Sequence, residues 1–121
     1  MNKRKAFSII LIAIAAAVML TFVSCATEES ALKEKYEQAG FDAQAFPFEK
    51  ADVDKDLVDF AYHGIKNANS SNVEQVFVIT FKSIDEAKTY FEKHFKDQDK
   101  PNMIRYGRAV VYGSKEAVDL Y

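Results

Sequence analysis

Few side chains in this sequence stand at spacings that support chemistry, and the first is a thiol. Cys25 is the only cysteine among 121 residues, and the small residue Ser24 directly precedes it. One cysteine permits no intrachain disulfide, and in an exported chain a single thiol is expected to be consumed by modification or by pairing with another molecule. Asp52, Asp54 and Asp56 alternate with Val53 and Lys55, the spacing that opens a calcium loop. The sixth position of such a loop needs glycine and the twelfth a bidentate glutamate. Here they are Leu57 and His63, so the three aspartates read as a solvated acidic turn. His63 and His94 have no cysteine ligand and no second histidine at helical spacing, which leaves zinc without a framework. They read as surface or boundary residues. Ser83 and Ser114 each precede a helical pattern and read as caps, with no G-x-S-x-G elbow anywhere. Glycines at 40, 64, 107 and 113 are too dispersed to cradle a phosphate. The chain therefore carries no catalytic, metal or cofactor pattern, and a non-enzymatic role is expected.

The residues before Cys25 have the order of an export signal. Lys3, Arg4 and Lys5 supply the charge, and residues 9–20 are an unbroken apolar run of 12. Thr21-Phe22-Val23-Ser24-Cys25 then resembles the lipobox of bacterial lipoproteins, with Phe22 where that family usually has an aliphatic. The resemblance implies cleavage between Ser24 and Cys25, and a diacylglycerol thioether on Cys25. Two other readings remain open. Residues 6–27 carry no charge over 22 positions, enough for an uncleaved anchor. Ser24-Cys25-Ala26 also meets the small-x-small rule of ordinary signal peptidase. The expected division is a lipoprotein signal peptide over 1–24, a lipidated cysteine and short tether over 25–30, and a single domain over 31–121.

Removing the leader changes the charge balance. Three of the 16 Lys and Arg lie in it and none of the 18 Asp and Glu, so the 13 remaining cations leave a formal charge of −5. A small acidic domain is not a basic clamp for nucleic acid, and no nucleic-acid partner is expected. Lys88, Lys93, Lys96, Lys100, Arg105 and Arg108 make the C-terminal half locally basic, but acids are interspersed. Tyr90, Tyr106, Tyr112 and Tyr121 offer either a recognition patch or packing for a core without disulfides.

The elements that must position these residues follow from periodicity. A helix is expected over 31–39, capped by Ser30 and stopped by Gly40. Residues 41–49 surround Pro47 and are at best an edge strand. Residues 58–63 read as a strand, with Val58, Phe60 and Tyr62 on one face and His63 on the other, although Leu57, Phe60, Ala61 and Gly64 also fit a short helix. Residues 67–72 are a polar turn and 73–81 the clearest strand. Ser83-Ile84-Asp85-Glu86 is a capping box opening a helix to about 96, whose apolar face would be Ile84, Ala87, Phe91 and Phe95. Residues 103–106 and 109–112 flank Gly107-Arg108 as a hairpin, and Gly113-Ser114 precedes a last helix over 115–120.

Connections this short require mainly antiparallel pairing. The expected fold is α+β, with about three helices packed on one face of the sheet. The order resembles small lipoproteins of Gram-positive bacteria that end in a Gly-x-x-Val-x-Tyr-Gly segment, here Gly107 to Gly113; that resemblance implies no activity. The functional expectation is a domain held by the Cys25 lipid anchor on the extracytoplasmic face of the cell membrane. It would bind an envelope protein or other envelope component, or else a small ligand as the carrier component of a transport system.

Overall fold

The structure, a computed structural model, describes residues 27–121. The expected signal peptide, Ser24/Cys25 cleavage and Cys25 lipidation lie outside those residues.

Helix α1 (Glu29–Gln38) begins two residues earlier than its sequence pattern suggests, with Glu28 as the extended residue before it and no side-chain cap. Glu29 in the first turn opposes the helix dipole and pairs with Lys33 at 3.1 Å, which supports the earlier start. Gly40 follows at φ 95°, the left-handed stop that glycine adopts without strain. Strand β1 (Asp42–Gln44) is only three residues long. Pro47 does not interrupt a longer strand; it precedes the four-residue helix α2 (Phe48–Ala51), which Asp52 ends in the left-handed region.

A 3-10 turn (Lys55–Leu57) leads into β2 (Val58–Lys66), which a turn through Asn67 at φ 58° joins to β3 (Glu74–Phe81). Ser83 then accepts a hydrogen bond from the Glu86 N–H at 3.2 Å and opens α3 (Ile84–His94). Strands β4 (Ile104–Tyr106) and β5 (Ala109–Gly113) form a hairpin turned by Gly107 at φ 55°, and α4 (Lys115–Asp119) follows. The five strands make one antiparallel sheet in the order β1-β2-β3-β5-β4. The fold is α+β, with four α-helices around this sheet among the described residues.

The helices do not share one face, which corrects that part of the expectation. Val76 and Val78 of β3 and Val111 of β5 point to one side. There they bury against Leu32 and Tyr36 of α1 and Ala117 and Val118 of α4. Ile79 and Phe81 point to the other side with Val110 and Tyr112, and meet Ala87 and Tyr90 of α3. The central strands β3 and β5 are apolar on both faces, so each face requires a cover.

Strand β2 changes faces near its start. A register shift between Val58 and Phe60 sends Val58 to the α3 side and Phe60 and Tyr62 to the α1 side. Simple alternation had placed all three together; one extra residue in a bulge separates them. Among the described residues no helix is long and apolar enough to cross a membrane.

Candidate functional site

On the α1–α4 side Leu32, Tyr36, Val76, Val78, Val111 and Ala117 are fully buried, but α3 covers only part of the other side. A cleft of about 500 Å3 remains there, bounded by the β1–α2 connection and the loop before β4. Its floor is a row of side chains on paired residues of three strands: His63 opposite Phe77, and Phe77 opposite Tyr112. Adjacent strands lie about 4.8 Å apart, and that spacing stacks the rings. The His63 and Phe77 centroids are 4.2 Å apart at 12°, and those of Phe77 and Tyr112 are 4.8 Å apart at 9°. Gln44 extends the row onto β1 through its pairing with His63.

Polar groups ring this floor. His63 Nε2 lies 3.0 Å from Gln75 Oε1; with the ring N–H at Nε2, it donates to the amide oxygen. Lys50 and Ala51 of α2 line one wall, and Asp99 and Lys100 another. Lys100 is only 7 % exposed, and among the described residues its one ion pair is with Asp97, at 3.6 Å. Burial pushes the Tyr112 phenol up to about 12, with the Tyr90 hydroxyl opposing the shift. Tyr112 therefore stays protonated at neutral pH.

The wall carrying Lys100 is fastened to the end of β5. Gly113 N–H donates to Pro101 O at 3.1 Å, and the Asn102 amide donates to Gly113 O at 3.0 Å. Asn102 sits at φ 51°, a conformation asparagine tolerates better than most residues. Ser114 N–H donates to Gln75 O at 2.9 Å, which ties the same corner to β3. Gly113 has φ 144°, and a Cβ there would meet Gln75 O at 2.1 Å. Only glycine fits.

The remaining sequence candidates disperse. Asp54 accepts from the Asp56 N–H as the cap of the 3-10 turn, and Asp52 pairs with Lys93 at 3.0 Å. His94 is buried, against its reading as a surface or boundary residue. Its Nδ1 meets Asp97, and its Nε2 lies 3.2 Å from Asp52 Oδ2 without hydrogen-bond alignment. Helix α3 is rotated accordingly. It buries Ala87, Tyr90 and His94 while Phe95 is 52 % exposed, because the Tyr90 hydroxyl reaches Ala51 O at 2.5 Å and His94 reaches the two aspartates.

Four of the six basic residues are engaged separately. Lys93 is paired, Lys100 is buried, Arg105 donates to Gly107 O and Arg108 to Phe81 O. The tyrosines split between Tyr90 and Tyr112 in the α3-side core and a Tyr106–Tyr121 stack at another end. Ser83 is a cap as expected, whereas the Ser114 side chain makes no cap bond.

The cleft itself was not visible in the sequence. The one available signal was strand register, which sets His63, Phe77 and Tyr112 side by side once β2-β3-β5 adjacency is known. No family model, curated protein or solved structure matches this chain.

Proposed function

We propose that this protein is a lipid-anchored binding module on the extracytoplasmic face of the cell membrane, non-enzymatic, which holds its ligand in the cleft over His63, Phe77 and Tyr112. The observation that carries the reading is the cleft. It combines a packed aromatic floor with a few polar groups at its rim, the usual make-up of a small-molecule site. Its lining offers amides, amines, an imidazole, a phenol and the Asp99 carboxylate, but no serine, threonine or cysteine nucleophile. His63 is oriented by an amide rather than by a carboxylate, so the pairing that activates a general base is missing at this residue. The volume suits a small ligand, which favours the carrier role over recognition of a broad protein surface.

The anchor rests on the lipobox resemblance of residues 21–25 and on the solitary Cys25. Cys25→Ser should release the protein from the membrane fraction and abolish lipid labelling; unchanged retention contradicts the anchor. For the cleft, the full-length protein in lipid nanodiscs is melted with fractions of the dialysable pool from the cells that make it. A ligand binding only the folded state raises the melting temperature. At least one fraction should do so, and a complete series without effect contradicts the reading.

A further inference from the structure

We infer that the cleft is built for a small organic anion, a carboxylate on a planar apolar body, with Lys100 and Lys50 as its charge partners. This rests on the reading of the cleft as the binding site and adds the chemical class of the ligand.

Lys100 motivates the assignment. A lysine is almost never buried unless its charge is paired. This one is 7 % exposed, lines the cleft, and finds Asp97 only at 3.6 Å, beyond hydrogen-bond length for an ammonium. Asp97 is moreover shared with the His94 ring. The Lys100 side chain is therefore buried along its stem, and its ammonium, with one long ion pair to Asp97, stands at the wall of an open cavity. Lys50 lines the same cleft, is exposed, and makes no ion pair among the described residues. Against these two ammoniums the lining holds one carboxylate, Asp99. The lining is positive by one charge, with Asp97 lying outside it beside Lys100, inside a domain that is acidic as a whole. A monoanion matches that balance better than a phosphate monoester, which carries about −1.5 to −2 at neutral pH.

The floor specifies the rest of the ligand. His63 and Tyr112 cover both faces of Phe77, so the half-buried Phe77 ring can present only its edge to a ligand. Aromatic edges carry positive charge density and favour the negative face of a flat group laid across them. A planar body over the ring edges with its carboxylate turned to Lys100 satisfies both features. The fixed corner at Gly113 and Asn102 holds the Lys100 wall in place without the ligand.

The test uses the full-length protein in nanodiscs and ligand-observed fluorine NMR. The probes are 4-fluorobenzoate, its neutral isostere 4-fluorobenzamide, the cation 4-fluorobenzylammonium and the dianion 4-fluorophenyl phosphate. The benzoate should bind at least tenfold more tightly than the amide and the ammonium, and more tightly than the phosphate. Its magnetisation transfer should reach the Phe77 and Tyr112 rings. Lys100→Met should weaken benzoate at least tenfold and leave the amide unchanged. Lys50→Gln, at an exposed position where folding is not at risk, should weaken it severalfold. Equal binding of benzoate and benzamide at these rings, or benzoate binding indifferent to both substitutions, overturns the anion assignment and leaves the cleft standing. Tighter phosphate binding with the same lysine dependence overturns the carboxylate. Transfer to rings elsewhere overturns the cleft as well, and no binding by any probe at millimolar concentration overturns the assignment.

Discussion

His63 and Phe77 occupy directly paired positions of β2 and β3, and their rings lie parallel at 4.2 Å. The contact is set by register, because a slip of one residue would turn every side chain of β2 to the opposite face. Phe77 also stacks on Tyr112 at 4.8 Å and meets Phe46 edge-on at 6.3 Å, so it joins three segments distant in sequence.

Phe77→Ala should therefore destabilise the protein by about 3 kcal/mol, the low end for a phenylalanine because the ring is half-buried. Urea unfolding of wild type and variant would read this directly. A loss below 1 kcal/mol would show that the row contributes little to the fold.

Gly113→Ala should be worse. The new Cβ would fall 2.1 Å from the backbone oxygen of Gln75, and backbone on both strands would have to move. The cost should exceed about 3 kcal/mol, the scale of severe strain or broken pairing. Circular dichroism should show an unfolded protein or a strongly lowered melting temperature.

Two tyrosines in the α1-side core should respond oppositely to loss of the hydroxyl. The Tyr36 hydroxyl donates to Ala117 O at 2.7 Å, while the Tyr62 hydroxyl is buried with no hydrogen-bond partner among the described residues. Tyr36→Phe should cost about 1 kcal/mol, and Tyr62→Phe should be neutral or stabilise by up to about 1 kcal/mol. Equal losses in both would indicate that Tyr62 has a partner.

Acid should weaken the α2–α3 junction. The Lys93 hydrogen bond and charge hold the Asp52 carboxyl below its usual 3.8, with His94 adding to the effect. The His94 hydrogen bond does the same, first in size, for Asp97. A carboxyl depressed in the folded state stabilises it above the unfolded pKa, and this contribution disappears as pH falls through the folded value. Stability from this source should thus hold at neutral pH and decline below about 3.8. Asp52→Asn with Asp97→Asn should flatten the acid limb of a melting-temperature profile; an unaltered limb would exclude these groups.

The α+β class and most elements were legible from periodicity and caps. Ser83 with Glu86, Gly40, the Gly107 turn and the 67–72 turn all produced the local structure their chemistry implies. Three features were not legible, and each depends on contacts between distant segments. The bulge after Val58 has no local signature, yet it reverses one face of β2. The α3 face is rotated because Tyr90 and His94 find Ala51 and Asp52, which no helical pattern reports. The sides on which α1, α3 and α4 pack follow from a sheet apolar on both faces, a property of β3 and β5 that alternation rules do not weigh. The cleft is the sum of these effects. Lys100 read as one charge in a basic stretch, and only the Gly113–Pro101 link reveals its burial.

Amide shift mapping tests most directly the claim that this cleft binds the ligand. The isotope-labelled full-length protein in nanodiscs is titrated with whichever dialysable fraction raises its melting temperature. Perturbations should concentrate at Gln44, Lys50, His63, Gln75, Phe77, Lys100 and Tyr112 and leave α1 and α4 unchanged. Perturbations centred on α1 or α4, with the His63–Phe77–Tyr112 row silent, would contradict the account.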